Sequence, residues 1–82
     1  MARYIHENKV YDTEKSELVL KIEFLGIVEL YKSNKGNWFK VCTNPLGSIK
    51  IYPTSEEGAK YFIAVRNDIE VYEKYFGKLE EA

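Results

Sequence analysis

The spacing of hydrophobic and polar positions changes several times along the chain, and each change predicts a new structural element. The first two elements are short β-prone runs, Tyr4–His6 and Lys9–Tyr11, which flank the residues Glu7 and Asn8. Asn suits a tight turn, so this arrangement predicts a small β-hairpin at the N-terminus.

A helix is predicted to follow this hairpin. Asp12 or Thr13 offers a side-chain oxygen to the free N–H groups of a first helical turn. The apolar residues of the next segment recur at helical spacing and would share one face. They are Leu18, Val19, Ile22 and Leu25. We expect this helix to run to about residue 24 and to end near Gly26.

Three strand-like segments come next and predict a three-stranded antiparallel meander. Ile27–Lys32 and Trp38–Cys42 are rich in apolar and β-branched residues, and the turn between them contains Gly36. A third strand is expected over residues 48–52, where Pro53 would stop it because proline cannot donate a ladder hydrogen bond.

Two helices are predicted to complete the chain. Thr54–Glu57 has the sequence of a capping box with Thr54 as the N-cap, and residues 67–68 interrupt the helical pattern before a second helix that ends at Gly77. Residues 78–82 form an acidic tail that we expect to be frayed. The predicted fold class is therefore α+β, a single small domain over residues 1–82 with an N-terminal hairpin and helix, a three-stranded meander and two C-terminal helices.

Composition favours an ordered domain of the cytoplasm. Of the 82 residues 45% are hydrophobic, which is enough for one core and argues against disorder. The single cysteine, Cys42, cannot form an intramolecular disulfide. No stretch has the length of about 20 apolar residues that spans a membrane, and the N-terminus lacks the apolar run of a secretory signal. We expect no membrane partner.

Catalysis is not expected from these residues. His6 is the only histidine, and it falls in the predicted hairpin, where an ordinary half-exposed strand residue is the simpler interpretation. Cys42 with His6 as its base would be a conceivable nucleophilic pair, but a buried strand cysteine is much more common. One cysteine and one histidine cannot form a zinc site, and the glycines form no phosphate-binding loop. We predict no enzyme, no metal and no cofactor.

The charge distribution indicates one candidate binding segment. The net charge is only −1, yet residues 30–53 contain four lysines and no acidic residue. Aromatic residues alternate with these lysines, a mixture typical of surfaces that stack single-stranded nucleic acid. The same residues could form the rim of a protein interface, or could be ordinary sheet residues. The predicted partner-binding residues are Tyr31, Lys32, Lys35, Trp38, Lys40 and Lys50.

The number of amphipathic aromatics also favours a binding protein. Seven tyrosines and one tryptophan are more than a core of this size hides comfortably, and such residues contribute much of the energy of protein interfaces. The candidates for the exposed subset are Tyr31, Trp38, Tyr52, Tyr61, Tyr72 and Tyr75. Each could instead lie at the rim of the core.

Three segments carry a family resemblance: Val10–Glu17 (VYDTEKSE), Leu30–Phe39 (LYKSNKGNWF) and Pro53–Lys60 (PTSEEGAK). In this order and spacing the chain resembles small proteins encoded on phages, plasmids and conjugative elements of Gram-positive bacteria, a group that includes type II-A anti-CRISPR proteins. Many of these carry a Gly-rich stretch where this chain has Val41–Leu46, and a variable loop is where such proteins would differ in partner. The resemblance implies an inhibitor of an RNA-guided effector nuclease, with no catalytic residues.

Three hypotheses about function follow. The first is a counter-defence protein, anti-CRISPR-like, that binds the host effector nuclease or its guide-RNA complex, or blocks guide-RNA loading. The second is a small nucleic-acid-binding accessory protein of the same kind of mobile element, whose affinity would fall steeply with salt. The third is a structural or regulatory module that self-associates through an exposed strand edge. Either a monomer or a homodimer would fit these hypotheses.

Overall fold

The computed structural model of the protein describes residues 2–82, which form six strands, one short 3₁₀ helix and two α-helices. The predicted α+β class is confirmed. In chain order the elements are β1 (Arg3–His6), β2 (Lys9–Asp12), the 3₁₀ helix (Thr13–Lys15), β3 (Ser16–Glu23), β4 (Ile27–Ser33), β5 (Trp38–Thr43), β6 (Ile49–Thr54), α1 (Glu56–Val65) and α2 (Ile69–Phe76).

The N-terminal hairpin is confirmed. Strands β1 and β2 pair antiparallel, with Tyr4 opposite Tyr11. Glu7 and Asn8 form the turn between the strands, and both have positive φ angles, 47° and 67°. Two consecutive residues with positive φ form a type I′ turn, whose twist matches that of the flanking strands.

The predicted first helix is wrong, although its start signal is real. The Asp12 carboxylate accepts a hydrogen bond from the Glu14 backbone N–H at 2.9 Å and caps a single 3₁₀ turn. The chain then continues as β3, an eight-residue strand. The spacing misled the prediction because Val19 interrupts an alternation that would otherwise indicate a strand. A β-bulge between Leu18 and Leu20 absorbs this extra residue, and Val19 is buried.

The meander therefore has four strands and not three. The strands β3, β4, β5 and β6 follow one another in a single antiparallel sheet. The last strand also continues beyond its predicted end, since Pro53 lies within β6 opposite Phe39. Proline is tolerated there because β6 is an edge strand, whose outward N–H positions need no partner.

The two C-terminal helices are confirmed, with one change at the start of α1. The N-cap is Ser55, whose hydroxyl accepts a hydrogen bond from the Gly58 N–H at 3.0 Å, so the predicted cap at Thr54 is wrong by one residue. Helix α2 begins at the Asp68 cap and ends at Gly77, which has a φ of 94°. Within residues 2–82 neither helix has the length and apolar character needed to cross a bilayer. Residues 78–82 form no helix or strand.

The four-stranded sheet has a packed layer on each side. Adjacent strand residues point to opposite faces, and β5 buries both: Trp38 is 4% exposed and Phe39 is fully buried. Trp38 lies against α2, with its ring 5.4 Å from that of Phe76. Phe39 lies against the N-terminal hairpin, with its ring 5.1 Å from that of Tyr11. The sheet is therefore the middle layer between a helical layer and a hairpin layer.

Candidate functional site

The six predicted partner-binding residues do not form one surface. Lys32, Trp38 and Lys40 lie on the face of the sheet that the helices cover, because Lys32 pairs with Trp38 and both share a face with Lys40. Tyr31 points to the opposite face. Lys35 lies in the β4–β5 turn, at the far end of the sheet from the β5–β6 loop that Lys50 approaches.

Lys32 and Lys40 lie over aromatic rings on the helix side of the sheet. The Lys32 Nζ atom lies 5.3 Å from the centroid of the Trp38 ring, and the Lys40 Nζ atom lies 5.2 Å from that of Phe62. Cation–π contacts of this kind stabilise by roughly 0.5–1 kcal/mol at partly exposed sites. The expectation that Trp38 is exposed is wrong, because α2 covers the ring. Trp38 is therefore not placed to stack a nucleotide base.

Tyr31 belongs to the packing of the hairpin layer. Its ring is stacked on Phe39 at 5.3 Å with an interplanar angle of 13°, and its hydroxyl donates a hydrogen bond of 3.3 Å to Glu29. Burial raises the pKa of the Tyr31 hydroxyl, and the Glu29 carboxylate adds to this rise. The side chain is half-buried, so only part of it is accessible to a partner.

The remaining aromatic candidates divide into two groups. Tyr52 and Tyr61 are exposed, at 46% and 72%. Tyr72 and Tyr75 are partly buried against the core cluster between the helices and the sheet. The tyrosines thus supply isolated exposed rings and no continuous aromatic surface.

The sheet separates Cys42 from His6, the two residues considered as a nucleophile and its base. Cys42 lines a groove on the helix side, whereas His6 belongs to the hairpin layer and packs its ring edge-on against Tyr11. Burial raises the pKa of the Cys42 thiol, and the positive charge of Lys40 only partly opposes this rise. A thiol with a raised pKa is mostly protonated at neutral pH and is a poor nucleophile.

A surface that the sequence analysis did not single out lies at one end of the sheet, where the β3–β4 turn meets the β5–β6 loop. We call Phe24, Leu25 and Leu46 the apolar tip. Their exposed fractions are 81%, 79% and 93%, and they are three of the four most exposed large apolar residues among those described. Gly26 brings the two connections together, since a Cβ atom at this position would lie 2.6 Å from the Thr43 carbonyl oxygen.

The β3–β4 turn holds Leu25 in a conformation that leucine rarely adopts. Its φ angle is 53°, and the Phe24 N–H donates a hydrogen bond of 3.0 Å to the Gly26 carbonyl. The left-handed region costs a residue with a Cβ atom roughly 1 kcal/mol. Asn or Gly would form this turn at lower cost, so folding alone does not explain a leucine here.

The β5–β6 loop is ordered by its own hydrogen bonds. The Asn44 side-chain oxygen accepts from the backbone N–H groups of Leu46 and Ser48, each at 2.9 Å. The Asn44 backbone also pairs with Ser48 and Gly47 at 2.9 Å. This network fixes the loop while Leu46 remains directed at solvent.

An apolar groove of about 280 Å³ continues from the apolar tip along the helix side of the sheet. No residue of α1 or α2 lines it, because the helices pack near the opposite end of the sheet. Its walls include Val28, Cys42 and Tyr52, and Lys50 contributes its only charged side chain. Of the six predicted residues, Lys50 alone adjoins the apolar tip.

The sequence contains a signal for the apolar tip that the hydrophobic pattern obscured. Leu46 stands between Pro45 and Gly47, and Phe24 and Leu25 stand directly before Gly26. Large apolar residues in turn positions have no core to enter, so they indicate an exposed apolar site. The helical spacing assigned Leu25 to a buried helix face instead.

In comparisons with known proteins, no protein-family model, no curated protein and no solved structure matches the chain.

Proposed function

We propose that the protein is a non-catalytic counter-defence protein of a bacterial mobile element, which binds an RNA-guided effector nuclease through the apolar tip. It would inhibit the nuclease stoichiometrically in the host cytoplasm, either by occupying the effector or by blocking guide-RNA loading. The observation that carries the proposal is the exposure of Phe24, Leu25 and Leu46 at one end of the sheet.

The energetics favour a binding role for these side chains. Burying a Leu or Phe side chain stabilises a complex by about 1.5–3 kcal/mol, and all three of these side chains are almost fully available for such burial. In the free protein they contribute little to the core. Leucine at position 25 also imposes backbone strain, a cost that binding through this side chain would offset.

The two connections are also suited to tight binding because they are ordered before a partner arrives. Association loses free energy when loops must be immobilised, and the Asn44 hydrogen bonds have already fixed the β5–β6 loop. The β3–β4 turn is held against that loop at Gly26. A rigid apolar projection of this kind can act as the anchor that fills a pocket on a partner.

The chemistry of the apolar tip favours a protein partner over nucleic acid. Phosphate recognition requires positive charge, whereas the grooves at the apolar tip have only one basic residue in their linings, Lys50, and one acidic residue, Glu23. Apolar residues on a scaffold with a polar rim are typical of protein interfaces. The choice of an effector nuclease as the partner rests on the resemblance of Val10–Glu17, Leu30–Phe39 and Pro53–Lys60 to proteins of mobile elements.

The test uses purified protein and a purified type II-A effector nuclease, with and without guide RNA. Binding is measured by interferometry, and inhibition by target-DNA cleavage at increasing ratios of protein to nuclease. We expect a complex and inhibition near one protein per nuclease. Phe24→Ser and Leu46→Ser should each weaken binding roughly 10-fold to 100-fold, the loss that corresponds to one buried apolar side chain.

The matched control is Ile5→Ser, since Ile5 is 82% exposed but lies on the hairpin, away from the apolar tip. This variant should bind as the unaltered protein does. Equal loss in the control and the two tip variants would reject the apolar tip as the binding surface. No complex with either form of the nuclease would reject the proposed partner.

A further inference from the structure

A cleft of about 250 Å³, lined mostly by charged and polar residues, lies at the end of the sheet opposite the apolar tip, between the N-terminal hairpin and the β4–β5 turn. Consecutive turns of an antiparallel meander lie at alternate ends, which separates this cleft from the β3–β4 turn. We call it the basic cleft, because four basic side chains line it. They are Arg3, Lys9, Lys15 and Lys35.

The charge of this cleft contrasts with that of the whole protein. The net charge of the chain is −1, with 12 basic and 13 acidic residues. Four of those basic residues converge here, against the single acidic residue Asp12. Lys9 begins β2 and Lys35 lies in the β4–β5 turn, far apart in sequence, and only the docking of the hairpin onto the sheet places them at one cleft.

The one carboxylate of the cleft is already occupied. One oxygen of Asp12 accepts the capping hydrogen bond from Glu14, and the other lies 3.5 Å from Arg3 Nε. Asp12 and Arg3 therefore neutralise each other. Within residues 2–82, the ion pairs include none made by Lys9, Lys15 or Lys35, and all three side chains are exposed. About three positive charges remain for a ligand.

Polar groups of the cleft complement these charges. Ser33 Oγ accepts a hydrogen bond from the Asn37 N–H at 3.0 Å, which leaves its own hydrogen to donate to an anion. The turn that carries Lys35 is closed by the Ser33 N–H, which donates to the Asn37 carbonyl at 2.7 Å. Acidic residues Glu14 and Glu17 line a neighbouring groove toward β3, and neither is among the residues that line the cleft.

We propose that the basic cleft binds backbone phosphates of a nucleic acid strand, independently of its sequence. Within the described residues, three lysines without an ion pair and the Ser33 hydroxyl supply the chemistry that recognises phosphate. The volume is below the roughly 300 Å³ of a typical small-molecule pocket, which fits a phosphate and its sugar better than a whole nucleotide ligand. Tyr11 is the only aromatic residue of the lining, and its ring is engaged with Phe39, so base stacking contributes little.

The experiment measures fluorescence anisotropy of labelled 20-nucleotide RNA and DNA single strands with the purified full-length protein, at about 50 and 200 mM salt. Three phosphate contacts to a single strand predict a slope of about −2 in log affinity against log salt, which is an affinity loss of roughly 15-fold to 20-fold over this range. Lys9→Gln, Lys15→Gln and Lys35→Gln combined should abolish the measurable binding. Far-UV circular dichroism and thermal unfolding should remain unchanged, because all three side chains are exposed.

The control combines Lys21→Gln, Arg66→Gln and Lys78→Gln, which removes the same charge from exposed residues outside the cleft. It should retain binding within roughly twofold to threefold, since only long-range attraction is lost. Absence of binding at the lower salt, or equal loss in both triple variants, would overturn the proposal. Equally tight binding of polyglutamate of the same charge, or of pyrophosphate instead of either strand, would also overturn it. No effector nuclease is present, so these outcomes are independent of the proposed inhibition.

Discussion

The ring of Tyr11 lies 5.1 Å from the ring of Phe39, and this contact joins the N-terminal hairpin to the four-stranded sheet. Phe39 is fully buried, yet it does not belong to the core cluster on the helix side. The hairpin thus closes a second, smaller core. It also positions Arg3 and Lys9 at the basic cleft, so the packing of Tyr11 supports that site.

Tyr11→Ala should destabilise the protein by roughly 2–3 kcal/mol, because it removes a large ring that covers Phe39. Tyr11→Phe keeps the ring and should change the free energy of unfolding by less than about 0.5 kcal/mol. Urea denaturation followed by circular dichroism measures both. Equal stability of Tyr11→Ala and the unaltered protein would mean that the hairpin does not stabilise the sheet.

The cap of α1 provides a second test. Ser55→Ala removes the oxygen that accepts the Gly58 N–H and should cost about 1 kcal/mol of folding stability. Thr54→Ala should cost less, since the hydrogen bond that caps the helix is made by Ser55. The two variants are compared by thermal unfolding. A larger loss for Thr54→Ala would favour the cap predicted from the sequence.

Elements governed by local chemistry could be predicted from the sequence. The turn at Glu7 and Asn8, the strands β4 and β5, and the helix end at Gly77 each follow from the residues that form them. The strand β3 could not be predicted in this way, because its decisive feature is nonlocal. Val19 interrupts the alternation, and the bulge that accommodates it forms only through pairing with β4.

The candidate sites were harder to predict for the same reason. Lys32, Lys35 and Lys40 are close in sequence, but the strand pleat places Lys32 and Lys40 on the helix side of the sheet, whereas the β4–β5 turn places Lys35 at the basic cleft. Conversely, Lys35 reaches the basic cleft with Lys9 only after the hairpin docks on the sheet. The lysine-rich segment 30–53 therefore includes Lys35 of this cleft but not its other basic residues, Arg3, Lys9 and Lys15.

The Tyr75 hydroxyl should titrate abnormally. Burial raises its pKa to about 12, and the Glu17 carboxylate adds to the rise through a hydrogen bond and like charge. The unfolded protein ionises this tyrosine near its ordinary pKa of 10.0, so the folded state holds the proton more tightly between pH 10 and pH 12. The raised pKa of Tyr75 therefore contributes folding stability that is complete below pH 10 and is lost as pH rises from 10 to 12.

Ultraviolet absorbance of tyrosinate measures this titration, and subtraction of the Tyr75→Phe curve assigns it. Glu17→Gln should lower the pKa of Tyr75 because it removes the negative charge, but the pKa should stay above 10 because burial is the largest cause. A Tyr75 that ionises near pH 10 in the folded protein would contradict the packing of α2 against β3.

Leu25 is expected to show opposite effects on folding and binding. Leu25→Asn places a residue that tolerates positive φ at a position with a φ of 53°, and should stabilise the fold by up to roughly 1 kcal/mol. The same change removes one apolar side chain of the tip and should weaken binding to the effector nuclease roughly 10-fold or more.

Leu46→Asn is the matched control, since Leu46 is not among the residues with positive φ: it should weaken binding without raising stability. Thermal unfolding and interferometry on the two variants separate the effects. A Leu25→Asn variant that binds as tightly as the unaltered protein would show that the strained leucine is not retained for this interface.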